Sequence, residues 1–121
     1  MLKEEQLSYV IRGCVYEVFK HLGCGFLEKV YENALLEELK EQGLSARSQV
    51  PIKVYYKKEV VGEYVADIVV EESVILELKS QQQLLKIHEA QLLNYLKATD
   101  ASVGMLVNFT YPRAMIKRLV L

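Results

Sequence analysis

A mixed β-sheet flanked by helices, an α/β (α+β) domain in the order ααβββαβ(β), is the architecture predicted for this 121-residue chain. Two changes of hydrophobic period support it. Apolar residues recur at intervals of three and four up to about residue 42. They alternate or run together from about 49 to 79, then return to the longer interval before a last apolar run. Helices that precede and interrupt a series of strands must cover the faces of the sheet, because each element has an apolar side to bury. One domain over residues 1–121 suits the length, since a chain of this size buries roughly two-thirds of its unfolded surface.

The first helix is expected over about 4–22, where Leu7, Val10, Ile11, Cys14, Val15, Val18, Phe19 and Leu22 share one face. Gly23-Cys24-Gly25 ends it, glycine supplying the backbone angles of a helix terminus. A second helix over about 26–42 stops at Gly43, with Leu27, Val30, Tyr31, Ala34, Leu35 and Leu39 turned inward. Residues 49–56 then read as a strand, Val50, Ile52, Val54 and Tyr56 alternating with Pro51, Lys53 and Tyr55. Lys57-Lys58-Glu59 is a turn, residues 60–70 a second strand bent near Gly62, and residues 74–79 a third. A third helix follows over about 84–98, a buried strand over 102–109, and an optional last strand over 115–121.

Composition narrows the function. With 51% hydrophobic and 26% charged residues the chain is not of the disordered class. Fifteen Lys and Arg against sixteen Asp and Glu, a formal charge of −1, argue against coating nucleic acid by bulk electrostatics and leave a local site assisted by a metal ion. The acidic start Met1-Leu2-Lys3-Glu4-Glu5 is not a secretory signal, and no run of 18 apolar residues occurs. With Cys14 and Cys24 as free thiols, a cytoplasmic protein without a membrane partner is expected. Cys14, His21 and Cys24 lack the paired spacing of a zinc site or a catalytic Cys–His pair, and no phosphate-binding glycine loop is present.

The chemistry concentrates in residues 64–79. A three-residue loop, Glu71-Glu72-Ser73, sets Val70 opposite Val74 and therefore Asp67 opposite Glu77, and alternation returns Lys79 to the same face. Facing residues have β-carbons roughly 4.5–5.5 Å apart, where like charges destabilise a sheet. A divalent cation shared by the two carboxylates resolves the repulsion, since Mg2+ is held by one or two carboxylates with phosphate oxygens. A neighbouring lysine balances charge or orients an attacking water. Spacing alone also permits a solvated face neutralised by Lys79, because an even-length loop would break the facing pair. Against that, the other strand residues within 64–79 are apolar or small.

Asp67, nine residues, then Glu77-Leu78-Lys79 resembles the metal-site signature of the PD-(D/E)XK nuclease superfamily, set in that superfamily's α-β-β-β-α-β core order. Gly25-Phe26-Leu27-Glu28-Lys29-Val30-Tyr31 further resembles the Gly-x-x-Glu-x-x-Tyr motif of its GxxExxY family. The likeness continues through Pro51-Ile52, Ala66-Asp67, Gln91-Leu92-Leu93-Asn94-Tyr95-Leu96 and Gly104-Met105-Leu106-Val107-Asn108-Phe109. It implies a restriction-endonuclease-like core and hydrolysis of phosphodiester bonds in DNA or RNA with Mg2+ (or Mn2+). It marks Asp67, Glu77 and the Leu78 carbonyl as metal ligands, Lys79 as the catalytic lysine, and Glu28 as reaching the metal directly or through water. Gln91 and Tyr95 resemble the polar positions on the helix after the catalytic strand, where they would contact substrate. Ala66 stands where the signature has proline.

Helical geometry bears on three of these positions. Glu28 falls between Leu35 and Leu39 on the apolar face, where a carboxylate needs a partner; the alternative is a first-turn glutamate held by the helix dipole. Glu38 projects near the same face without an assigned role. His88, Gln91 and Tyr95, at i, i+3 and i+7, form one stripe, of which His88 reads as an ordinary boundary residue. Lys53, Lys57 and Lys58, with Arg113, Lys117 and Arg118, either guide a phosphate backbone or protect an edge strand. A catalytically silent binding or assembly module on the same fold is the rival reading. A homodimer is plausible, because so small a domain offers little surface for gripping a duplex.

Overall fold

The computed structural model describes residues 3–121. Helices α1 (Glu4–Leu22) and α2 (Glu28–Glu41) precede strands β1 (Ala46–Tyr56), β2 (Glu59–Val70) and β3 (Val74–Lys79); α3 (Lys86–Lys97), β4 (Val103–Asn108) and β5 (Met115–Val120) complete the order. The five strands lie in sequence order in one sheet. β3 and β4 are parallel, and the other neighbouring pairs are antiparallel. A parallel pair needs a crossover, which α3 supplies. The expected α+β architecture is present, with the last strand formed. Among the described residues no helix is long and apolar enough to cross a membrane.

Alternation on the central strands builds a core on each side. Val74, Leu76 and Leu78 of β3, with Met105 and Val107 of β4, pack against α1 and α2 through Ile11, Val15, Leu35 and Leu39. Ile75 and Leu106 face the other way, onto Leu92 and Leu96 of α3. Glu77 and Lys79 share the parity of Ile75 and so belong to the α3 side. At Gly104 the helix lies directly on the sheet: a β-carbon there would fall 2.8 Å from Leu92 Cγ, so close packing excludes any side chain.

The rotation of α2 differs from the sequence expectation. The helix begins at Glu28 rather than residue 26. Leu27 and Val30, expected inward, are 76% and 39% exposed, whereas Glu32 is 3% exposed beside buried Tyr31, Leu35 and Leu39. The Tyr31 ring sets this rotation. It stacks on Phe109 at 4.2 Å between centroids, and its hydroxyl donates to the Gly23 carbonyl at 2.6 Å and accepts from the Phe26 N–H at 3.3 Å. With successive residues about 100° apart, the buried arc from Tyr31 through Leu35 and Leu39 takes in Glu32 and leaves Val30 outside.

β1 starts at Ala46, earlier than expected, and Tyr56, expected inward, is 62% exposed. The β1–β2 hairpin runs past the helices as an arm whose Tyr55, Val61, Tyr64 and Val65 are also exposed. Alternation identified a strand there, and of the residues expected inward Ile52 is buried on the α3 side whereas Tyr56, farther out, is not. The register of the arm shifts between Val54 and Tyr55, opposite Gly62. Gly104→Ala is expected to lower unfolding free energy by about 1–3 kcal/mol, the usual cost of overpacking. Chemical denaturation should also find Gly104→Ala with Leu92→Ala less damaging than the sum of the two single changes.

Candidate active site

The turn between β2 and β3 is Glu71-Glu72-Ser73, with Val70 opposite Val74, Val69 opposite Ile75 and Ile68 opposite Leu76. Its two acids hold the turn against the start of β1. The Ser45 N–H donates to the Glu71 carboxylate at 2.7 Å, and the Arg47 guanidinium donates twice to Glu72, at 2.8 and 2.7 Å. The Glu71 N–H returns to the Ser45 carbonyl at 2.7 Å. These bonds fix the register that everything beyond the turn inherits.

One step past Ile68 and Leu76 the ladder stops and the strands part into a fork. Side chains there replace the backbone partners. The Asp67 N–H donates to Glu77 Oε1 at 3.0 Å, and the Leu78 N–H donates to Asp67 Oδ2 at 2.8 Å. The N–H and C=O of one strand residue point to the same side, so the Leu78 carbonyl also faces the fork. The Lys79 carbonyl turns away to accept from the Phe109 N–H of the β4 side at 2.9 Å. The structure thus brings Asp67, Glu77, the Leu78 backbone and half-buried Lys79 together.

Two further residues complete the cluster and were missed in the sequence. Glu32 accepts from Lys29 Nζ at 2.7 Å and from Gln49 Nε2 at 2.7 Å. Gln49 sits opposite Asp67, between the pairs Ser48–Ile68 and Val50–Ala66, with φ at +52°, a left-handed conformation for a non-glycine residue. Both strands change sides at this step. Ala46 and Ile68 pack toward α1 and α2, whereas Val50 and Ala66 pack toward α3, although all four have even numbers. The twist aims the Gln49 amide at Glu32 and at Asp67. Glu32 lies one turn after Glu28, but its place in the buried arc follows from the rotation of α2 that Tyr31 sets. Glu28 itself is half-buried in the first turn, outside the hydrogen-bonded cluster among the described residues.

Burial dominates the electrostatics. It raises the Glu77 carboxyl from its ordinary 4.5 to about 8, with the charge of Asp67 adding to the rise and the Asp67 N–H and Lys79 opposing it. Burial also raises Asp67; the Leu78 N–H works against this, Glu32 with it, and Lys79 and Gln49 against it. On α3, Tyr95 is 4% exposed and receives a hydrogen bond from Gln91 Nε2 at 2.9 Å. Burial and then the Glu77 charge raise its phenol. Gln91 and Tyr95 both line a groove of about 740 Å³ between α3 and the hairpin arm.

Other polar residues have structural partners. His88 Nδ1 accepts from the Leu85 N–H at 3.1 Å, capping α3. His21 pairs with Glu17 at 2.8 Å, and Cys14 is buried in the α1 core, its thiol pushed up to about 11 by desolvation. Lys117 bonds Glu89 at 3.0 Å and Arg118 bonds Ser8 at 3.2 Å, so these two bases tie edge strand β5 to the helices rather than standing ready for phosphate. Among the described residues no group of three or more His, Cys, Asp or Glu could by itself enclose an ion. Two carboxylates and a carbonyl form an all-oxygen, incomplete donor set, which fits a hard cation that keeps water and phosphate oxygens as its other ligands.

The model of the PD-(D/E)XK nuclease superfamily matches residues 5–119. No curated protein gives a significant match. Among solved structures, the crystal structure of SSO0001 superposes with a TM-score of 0.62 at 23% identity, over 76% of this chain and 48% of that one. This chain therefore spans about half the length of that protein, and the likeness is one of fold. With a match running almost from end to end, on a mixed sheet whose second and third strands diverge around Asp67 and Glu77, the chain belongs to the PD-(D/E)XK nuclease superfamily.

Proposed function

We propose that the protein is a nuclease of the GxxExxY family that hydrolyses phosphodiester bonds in DNA or RNA with Mg2+ or Mn2+. The observation that supports this best is the fork, where buried Glu77 and half-buried Asp67 stand side by side, hydrogen-bonded across diverging strands, with an ammonium beside them. Asp67, Glu77 and the Leu78 carbonyl would hold the cation. When bound, it would lower the pKa of a coordinated water and neutralise charge on the phosphate. Gln49, hydrogen-bonded to Glu32 and opposite Asp67, would help to hold the Asp67 carboxylate at the fork. Glu28, a turn before Glu32, is left with an outer role through water. Lys79 orients the attacking water and offsets charge developing on the phosphate. Gln91 and Tyr95 place the substrate strand against the α3 side.

The test is a panel of single-stranded DNA, duplex DNA and RNA with Mg2+ or Mn2+. Cleavage should vanish on chelation and fall by about 100- to 10,000-fold in Lys79→Ala, the range of a positioned proton-handling group. Activity that survives both would refute the assignment. Asp67→Asn should abolish both cleavage and calorimetric binding of Mn2+. A protein that binds nucleic acid without any Mn2+ heat sensitive to that change would instead be a silent binding module.

The raised carboxyl groups predict a pH effect on the metal-free protein. Glu77 titrates higher folded than unfolded, so its neutral form is the one the fold accommodates, and Asp67 has the same sign. The Glu77 contribution is complete below the ordinary carboxylate range and is lost as pH rises through about 8, and that of Asp67 is lost in the same direction. Thermal melts in EDTA should therefore show Tm falling across that window, and Glu77→Gln should flatten the fall. Mn2+ should stabilise the wild type increasingly as pH rises, because its ligands must be deprotonated.

A further inference from the structure

We infer that the groove between α3 and the hairpin arm is a subsite for unpaired nucleotides, so that the substrate is single-stranded or locally unstacked nucleic acid. The inference rests on the nuclease reading for where the bond is cut, and on the groove for what shape of strand can lie there.

The lining combines chemistries that suit one ligand. Tyr55 and Tyr64 from the arm and Ile87 from α3 are 60%, 48% and 66% exposed and give the cleft an aromatic and apolar rim. Tyr64 is buttressed by Tyr95, the ring centroids 5.7 Å apart and tilted by 45°. Lys53 and Lys97 stand on the two walls, and among the described residues no carboxylate lines the groove, although the chain as a whole carries 16 acids. Aromatic faces beside ammonium groups are what an unpaired strand requires: bases stack on the rings and phosphates meet the lysines. A paired base inside a duplex has both faces covered by its neighbours and cannot use such rings.

Position supports the same occupant. Tyr95, whose hydroxyl is held by Gln91, lines the groove and packs in one cluster with Ala66, the residue before Asp67, so the groove adjoins the fork. A strand with its scissile phosphate at the fork therefore lays the adjoining nucleotides along Tyr64, which Tyr95 supports from beneath. The change of side at Gln49 and Asp67 is what brings the arm over α3 to form the opposite wall.

The test is fluorescence anisotropy on the full chain in EDTA, with a labelled single-stranded oligonucleotide and the same sequence as a duplex. The single strand should bind at least about tenfold more tightly, and Tyr64→Ala should weaken it by about tenfold while Tyr64→Phe retains affinity. Tyr55→Ala, at the more exposed site, repeats the test should Tyr64→Ala melt early by circular dichroism. Lys53→Ala with Lys97→Ala should flatten the slope of log K against log salt by about 1.4, the value for two phosphate contacts on a single strand. Equal affinity for the duplex, or binding indifferent to both tyrosines, overturns the inference. So does a dimer seen by sedimentation that dissociates in Tyr64→Ala while oligonucleotide binding is unchanged, because a second copy would then cover the groove. Cleavage in the Lys79→Ala comparison reports on hydrolysis separately, since Lys79 is not in the groove lining.

Discussion

The parting of β2 from β3 after Ile68 and Leu76 is the constraint on which the rest of the structure depends. Had the ladder continued, the Asp67 and Leu78 N–H groups would pair with backbone carbonyls and the two carboxylates would be a liability. Because it stops, each carboxylate receives an N–H and both become part of the sheet's hydrogen bonding. A buried acid that satisfies a backbone donor costs far less than one without a partner. The repulsion that would disfavour such a pair in an ordinary hairpin is thus partly met before any cation is considered.

Several contacts far from the fork keep it in place. Glu71 and Glu72 anchor the turn to the start of β1. At the other end of β3, buried Asn108 holds Gln81 by both backbone groups, at 3.0 and 2.9 Å. Ser80 reaches across to the Phe26 carbonyl at 2.8 Å, joining the exit of the strand to the entry of α2. Since Tyr31 grips the same connection, the tyrosine of the Gly-x-x-Glu-x-x-Tyr motif acts here through packing. It orients α2, and α2 in turn delivers Glu32 to the cluster.

Legibility followed the range of the interactions. The meeting of Asp67 and Glu77 could be read by taking Glu71-Glu72-Ser73 as a three-residue loop between two apolar runs, a length that spacing alone left open. The order of helices and strands along the chain could be read because each element announces its own period. The rotation of α2 could not, since it depends on a ring stacked on Phe109, and an apolar stripe does not reveal which of its edges meets a distant aromatic. Glu32 was hidden with it. Gln49 left even less trace: its role arises where two strands exchange faces, a three-dimensional event with no periodic signature. The tyrosines of the arm fit the alternation of a strand, but alternation says nothing about whether a helix reaches that far.

Gln49 places two demands on one residue. The left-handed backbone there suits glycine or asparagine, yet glycine has no amide and asparagine is a methylene shorter. Glutamine at such an angle carries conformational strain of about 1–3 kcal/mol, by the usual measure for these outliers. The chain incurs that strain during folding, when the rest of the core can offset it. The carboxylates are therefore already aligned when a ligand arrives, and less of its binding energy is needed to organise them.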